Sequence, residues 1–558
     1  MDRTIFGIDL GTTYSCIAYV DEYGRPAMIP NEDNVFTTPS VVLFESETNH
    51  VVGRQARRQA IAMPEDTCEL VKRHMGDAEW AFSAHDKQWS APAVSSLIIS
   101  VLADNARQNT GADVREVVIT VPAYFGDERR KATKLAGELA HLEVVDIINE
   151  PMAAAFSYGF AQAEAGNEET VLVYDLGGGT FDTTVIQIAE KKIATVATDG
   201  DHELGGADWD RELARYVAGR FMEECPDAED PLDDDHSRQN LMSDVEEQKR
   251  ALSQRESVDF IVLNGGDKAA FPVTREQFEE ITSGLLEQTI DITRRVLAAA
   301  RAKGVATVDR VLLVGGSSRM PAVRRRLEQE FGFPVELKDP DLAVAKGAAL
   351  YGRKKLIEGI VWETLTDSGE ARGGAERELG AVDQAAKLAA VEAAAEQMGI
   401  SAAEAGMMVD TVLGNVCSRG FGPGALFPGP DGRLEERVVF LCHQNENLPL
   451  EKRREFYTNA DNQSLIHVAV YEQGGSVESE RPEDNKVIVE GDISNIPHGY
   501  PKNTPISVVM RMDTDGMIRL TAYHPGAAEP LTLDARGATE SPENVEEARM
   551  LVAGTTRR

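Results

Sequence analysis

Two stretches place an aspartate just ahead of a glycine-and-threonine turn. Ile5–Thr13 reads IFGIDLGTT, and Val171–Asp182 reads VLVYDLGGGTFD. A second β-type run follows each turn, YSCIAYV after Thr13 and TTVIQIAE after Asp182. Both predict strand, tight turn, strand. A glycine tip leaves backbone N–H groups open to phosphate oxygens, and Asp9 and Asp175 suit a hydrated divalent cation. One such hairpin would be an ordinary surface feature. Two in nearly the same words imply a duplicated half-domain with a phosphate held between the halves.

Other residues extend this chemistry. Glu246, Lys249, Arg250 and Ser253 in VEEQKRALSQ stand at i, i+3, i+4 and i+7, so they share one helical face. That face is either a solvated ion-pair surface or a polar, cationic wall for a ribose and a purine. Val311–Val314 leads into GGSSRMP, where Gly315 and Gly316 allow close backbone approach. Ser317 or Ser318 is placed to cap the helix that follows, with Arg319 at its mouth. Lys72, in CELVKRHMG, reads on its own as a solvated surface group.

An alternating frame must position these groups. Thr37–Phe44, Val114–Val121, Glu143–Ile148 and Ala194–Asp199 read as strands; Arg54–Met63 and Met152–Phe160 read as helices. Pro122 marks the change from strand to turn, and Asp127 is expected to cap a helix running through Leu139. Gly205-Gly206 opens another helix, Asp227–Asp235 is an acidic loop, and Asp339–Gly352 closes the unit with small residues. This is a mainly α/β pattern with a central sheet.

At 558 residues, about two to four domains are expected. The net charge of −36 argues against nucleic acid or an anionic membrane as partner. The five cysteines show no metal-ligand spacing, and a β-type run starts at Ile5, leaving no room for a signal peptide. A reduced, cytoplasmic setting is expected.

Taken in order, DLGTTYS, VPAYF, INEP, DLGGGTFD, GGADWD, GGSSRMP and the DPDLAVAKGAA run resemble the ATPase domain of the heat-shock-protein-70 chaperone family, over about residues 3–357. The resemblance implies an α/β actin-like (ribonuclease-H-like) two-lobed ATPase domain, here 1–360, followed by an all-β sandwich. It implies ATP/ADP, Mg2+ and, as a further ion, K+. Asp9 and Asp175 would hold the magnesium with Glu150 nearby, and Lys72 would stand beside the γ-phosphate. Thr180 and Asp182 would surround the attacking water. Gly11, Thr12, Thr13, Tyr14, Gly177, Gly178 and Gly179 would meet the nucleotide's phosphates. Glu246, Lys249, Arg250 and Ser253 would form one side of the adenosine site, and Gly315, Gly316, Ser317, Arg319 and Asp341 the other. Slow hydrolysis is expected, because no arginine finger is built in.

Beyond residue 360 the chain departs from the family layout. Thr366–Arg377 is a linker by composition. Glu378–Gly399 predicts an inserted amphipathic helix with Leu379, Val382, Ala386, Leu388, Ala389 and Met398 on its apolar stripe, and a short helix follows over Ser401–Met408. Asp410–Gly422 resembles the family linker and first sandwich strand, with Asn415 at the usual aspartate position. Asp146 stands where the family commonly has a basic residue that receives the J-domain co-chaperone, a reversal that would repel an acidic group; Arg130 and Lys134 nearby remain basic.

Within 410–537, Val438–Cys442, Glu455–Ala460, Gln463–Tyr471, Lys486–Ile493, Ile506–Met512 and Ile518–His524 read as strands of a sandwich. By resemblance Phe456 and Ile466, with Phe421 and Leu426, would line a pocket for extended apolar segments of unfolded proteins. A nucleotide-exchange factor is the further partner implied. Residues 538–558 hold one helix, Ser541–Val552, read as a vestigial lid, so fast client exchange is expected. The first reading is an ATP-driven chaperone. A second is a nucleotide-dependent interaction protein or sensor that has lost the chaperone cycle. A third, an actin-like filament or sugar-kinase relative, is opposed by the sandwich.

Overall fold

One strand ladder is built twice. In the first sheet Glu143–Asn149, Glu116–Val121 and Ile5–Asp9 run parallel, and Tyr14–Val20 and Pro26–Met28 continue antiparallel. In the second, Val335–Leu337, Arg310–Val314 and Glu169–Leu176 run parallel, and Phe181–Ala189 and Lys192–Asp201 continue antiparallel. Each aspartate–glycine hairpin is therefore the middle of its own sheet. The structure, a computed structural model, describes residues 3–162, 168–189, 191–368, 383–429, 433–475, 477–514, 516–534 and 542–558.

Helices cover both faces, which is why strands such as Glu116–Val121 are buried at every position. Ala91–Thr110 and Asp127–Leu139 pack on the first sheet, and Gly206–Glu224 and Ser283–Ala302 on the second. Glu150–Gln162 and Ala343–Asp367 lie in the core shared by the two sheets. Small residues permit that packing: a Cβ on Gly347 would fall on the backbone of Ala153. The long helix runs past residue 360, to Asp367.

Several local expectations need correction. Asp127 is the first helical residue rather than the cap, because its carboxylate pairs with Lys131 one turn along. Neither Ser317 nor Ser318 caps the helix Pro321–Phe331; Gly316–Arg319 forms a 3-10 turn, Ser318 donates back to the Gly315 carbonyl, and Pro321 at the first helical position needs no donor there. The helix predicted over Arg54–Met63 stops at Gln59. The acidic loop ends with Asp234 capping the helix Asp235–Leu252.

The insertion is a helical hairpin, Gln384–Met398 and Ala402–Asp410. It buries Ala390, Val391, Ala394, Ala395, Ala405, Met408 and Val409 in the core between the sheets. The stripe is partly rotated from expectation: Ala386 and Met398 pack on that core, but Leu388 is 59% exposed and Ala389 is exposed, while Leu379 and Val382 lie outside the described residues, as does most of the 366–377 segment. The alanine face lets the hairpin approach the helix Ala343–Asp367 closely, and a leucine there would hold them apart. Directly after it, Val412–Gly414 joins the second sheet as a sixth strand, parallel to Lys192–Asp201. Asp410 anchors that junction by accepting from Lys191 and Lys387.

The last part is a sandwich of two four-stranded sheets around one apolar core. Phe421–Pro428 and Leu531–Asp534 are strands the sequence reading missed, and the strand expected at Val438–Cys442 runs instead over Leu434–Val438. The sandwich rests against the first part through Lys486–Glu128 and through Asn445, whose side chain accepts from the Thr198 amide at 2.8 Å. The helix Pro542–Ala553 crosses back onto Ala91–Thr110, burying Ala548. Thr556–Arg557 then pairs with Asn49–Val52 in a small four-stranded sheet. Among the described residues, no helix is long and apolar enough to cross a membrane.

Candidate functional site

The two hairpin tips face each other. A Cβ on Gly178 would strike Thr13, and one on Gly179 would strike Thr12, so only glycine fits at this approach. The Gly177–Gly179 tip is held from behind: the Gly206 amide donates to the Gly177 carbonyl at 3.0 Å and the Ala207 amide to the Gly178 carbonyl at 2.7 Å. On the other tip, Gly11 donates to Ser15 and accepts from Ser40.

Ionisable groups crowd the space beneath the tips. Asp9 ends its strand and accepts from Thr120, while Asp175 and Asp182 sit opposite each other across the second hairpin. Glu150 opens the helix Glu150–Gln162, and Lys72 reaches it from a 3-10 turn, Nζ to Oε1 at 2.5 Å. Lys72, Glu150, Asp175, Thr180 and Asp182 are all buried. Asp182 accepts from the Ala123 amide at 3.0 Å through one oxygen; the other is buried without a partner.

One ammonium faces four carboxylates here, and their proton affinities respond. Enclosure, then the Glu150 charge, pushes the Asp9 carboxyl up to about 7. Burial and then Glu150 push Asp175 and Asp182 well above the carboxylate range. Burial works against the Lys72 charge, but Glu150, Asp9 and Asp175 together hold its pKa above the ordinary value. A cluster this short of positive charge fits a dication: magnesium keeps most of its waters and needs only one or two carboxylates, a role open to Asp9 and Asp175.

A second group of candidates closes one side. Glu246 pairs with Arg57 and Arg250 and accepts from the Tyr14 hydroxyl, and the Arg250 guanidinium lies 4.8 Å from the Tyr14 ring centre. Arg57 thus ties the first hairpin's neighbourhood to the helix Asp235–Leu252. Lys249 turns inward instead, bonding the Gly206 carbonyl and Asp210 at 2.8 Å each, and burial lowers its pKa. Ser253 caps that helix's C-terminal end. Across from it, Gly315 has a positive φ of 79° and lies against Leu176, while a Cβ on Gly206 would strike Ser317 and one on Gly316 would press on Asp341. Arg319 Nε meets Asp341 at 3.1 Å.

Two residues in this region were not anticipated. Arg73 donates to the Gly179 carbonyl at 2.9 Å and to Asp208 at 2.7 Å, clamping the glycine tip. Arg57 is the other. Each sits in a basic run, RQARRQ or VKRH, with no spacing signal.

The expected pocket residues of the sandwich divide between its core and its surface. Phe421 and Ile466 belong to its core, Phe456 packs against that core, and Leu426 stands 51% exposed. Asp146 is not a bare negative charge: Lys355 and the Tyr351 hydroxyl each meet its carboxylate at 2.7 Å. The repulsion expected there is therefore compensated from within. Asn415 donates to the Thr514 carbonyl at 3.2 Å.

A family profile described as "Hsp70 protein" matches residues 5–83 and 77–354. Two curated relatives, each named "Chaperone protein DnaK" and from two strains of Halobacterium salinarum, are 34% identical over 553 residues, covering 97% of this chain and 77% of the relative. The matched region contains both hairpins, the Lys72–Glu150 pair and the Glu246–Ser253 face, and the similarity to the relatives continues through the sandwich. The chain belongs to the Hsp70 family, as an ATPase and an ATP-dependent chaperone.

Proposed function

We propose that the crowded carboxylate–lysine cluster between the hairpin tips is the ATP-hydrolysing centre of an actin-like, two-lobed domain. The buried Lys72–Glu150 ion pair, set among Asp9, Asp175 and Asp182, is the observation that carries this reading. Thr12, Thr13 and the Gly177–Gly179 tip, through its Gly178 and Gly179 amides, take the phosphates, and Lys72 neutralises charge on the phosphoryl group being transferred. Thr180 and Asp182 hold the attacking water; the unpartnered Asp182 oxygen is the acceptor it needs. Magnesium bound at Asp9 and Asp175 would supply charge neutralisation. Arg250 and Arg319 flank the base, with Ser253 at its edge.

Asp175→Asn and Lys72→Ala are each expected to lower steady-state ATP turnover by roughly 100-fold or more, as loss of transition-state charge stabilisation does. Normal turnover in both would overturn the site.

The function that follows is ATP-regulated binding of extended apolar peptide segments by the sandwich, by strand pairing and side-chain capture. The Val412–Gly414 strand supports coupling, because it places the link to the sandwich inside the nucleotide domain's own sheet. The decisive measurement is the off-rate of a short apolar peptide with and without ATP. A change of several-fold is expected. An unchanged rate beside intact ATPase activity would favour the sensor reading instead.

A further inference from the structure

Three successive carbonyls of the glycine tip are each held by a different donor. The Gly206 amide takes the Gly177 carbonyl and the Ala207 amide takes the Gly178 carbonyl. The third, on Gly179, takes Arg73 Nε at 2.9 Å. A trans peptide is planar, so its N–H points away from its C=O, and a held carbonyl fixes the direction of the next residue's amide. Gly206 and Ala207 thereby aim the Gly178 and Gly179 amides, and Arg73 aims that of Thr180.

Of the three donors, only Arg73 comes from the first sheet's side of the cleft. It lies in the 3-10 turn Val71–His74, where Val71, with Met75 just after, belongs to the core around the first sheet. Leu204 and Trp209, beside its acceptors, belong to the core around the second. The guanidinium is used as a fork: Nη2 meets Asp208 Oδ2 at 2.7 Å and the Glu203 carbonyl at 3.3 Å. The same Oδ2 accepts from the Gly205 amide at 2.7 Å, and Asp208 also pairs with Arg211. The Arg73 side chain is only 11% exposed. There is little slack here: a Cβ on Gly205 would fall on the Gly179 backbone, and one on Gly179 would come within 3.1 Å of Arg73 Nε. One short turn thus sends Lys72 into the carboxylate cluster and its neighbour Arg73 to the tip.

We propose that Arg73 is a positioning residue for ATP hydrolysis: by bridging from the Lys72 turn to the Gly179 carbonyl and Asp208, it fixes the end of the glycine tip relative to the Lys72 ammonium. This role presupposes the ATP-hydrolysing centre proposed between the tips. Arg73 acts through the tip and through Lys72, without touching a reacting atom. Its planar fork spans two acceptors at set angles, which a lysine ammonium does not reproduce. A phosphoryl group held by tip amides and met by Lys72 reacts at a rate set by that geometry, whereas ATP affinity is shared with the base, ribose and metal contacts.

ATP affinity and the single-turnover hydrolysis rate, measured separately on the full chain, give the test. Arg73→Ala is expected to lower the rate by about 10- to 100-fold and to change the Kd for ATP by less than about threefold. Methylguanidinium added to Arg73→Ala should raise its rate at least about threefold by refilling the fork, which a general loss of stability would not show. Arg73→Lys keeps the charge without the fork and should fall between Arg73→Ala and the native chain. A native rate in Arg73→Ala or Arg73→Lys beside an inactive Lys72→Ala, a loss confined to affinity, or a loss that methylguanidinium leaves untouched would each overturn this role alone. An Arg73→Lys chain that fails to fold would also count against it, by making the residue a structural one. Native turnover in Lys72→Ala and Asp175→Asn would sink the ATP site and this role with it.

Discussion

Asp9 shows how single residues in this cleft are set against their own folded state. Its carboxyl titrates near 7 in the native fold and near ~4 in an unfolded chain, so the native state holds the extra proton between those values. Stability from this group is complete below the unfolded pKa and is lost as pH rises through the folded one. Asp9→Asn removes the cost, and the nucleotide-free chain should gain roughly 1–3 kcal/mol at pH 8 and little at pH 4, by urea unfolding. An equal effect at both pH values would refute the assignment. The same substitution should abolish the further stabilisation that magnesium and ATP give the native chain. At this scale the sequence was legible where residues sit in motifs. Asp9 and Asp175 could be placed from their hairpins, whereas Lys72 reads as a surface lysine until family order identifies it. Arg73 was not legible at all, because its contact with the Gly179 carbonyl spans 106 positions and nothing local announces it.

At the scale of elements, periodicity found most strands and helices but misjudged which face of the inserted helix is buried. In Gln384–Met398 the leucine points outward, while Ala390, Ala394 and Ala395 point inward. Hydrophobicity alone favours Leu388, but helix-to-helix distance favours Ala394 and Ala395, and distance is a tertiary quantity. Val391 is 4% exposed among those alanines, so Val391→Asp should destabilise the chain by about 3 kcal/mol or more through burial of an unpaired carboxylate. Leu388→Asp should cost less than about 0.5 kcal/mol, as exposed substitutions do. Chemical denaturation of both variants decides between the two faces; equal losses would mean the stripe is not the one described. Because the hairpin ends at Asp410, one residue before the Thr411 amide and the strand Val412–Gly414, its loosening should also weaken that strand's pairing.

At the scale of the whole molecule, the contacts that tie the parts together include the Val412–Gly414 strand, the Lys486–Glu128 and Asn445–Thr198 side of the sandwich, and the segment 542–558, folded back on Ala91–Thr110 and Asn49–Val52. The last was the least legible. Its helix was predicted, but a two-residue strand has no periodicity to read. Removing residues 542–558 should speed hydrogen exchange at Asn49–Val52 amides by at least ~10-fold, because that strand loses a neighbour, while Glu116–Val121 keeps its protection. Unchanged exchange at Asn49–Val52 would rule out a stabilising role for the pairing.

That pairing also fixes an order of events during synthesis. His50 and its partner Thr555, 3.0 Å apart, are separated by 505 positions, so the Asn49–Val52 edge is made long before it is covered. Until Thr556 and Arg557 arrive, it offers unpaired backbone groups to any extended chain nearby. Thr556 and Arg557 therefore cover a strand edge that the chain would otherwise present to other copies of itself.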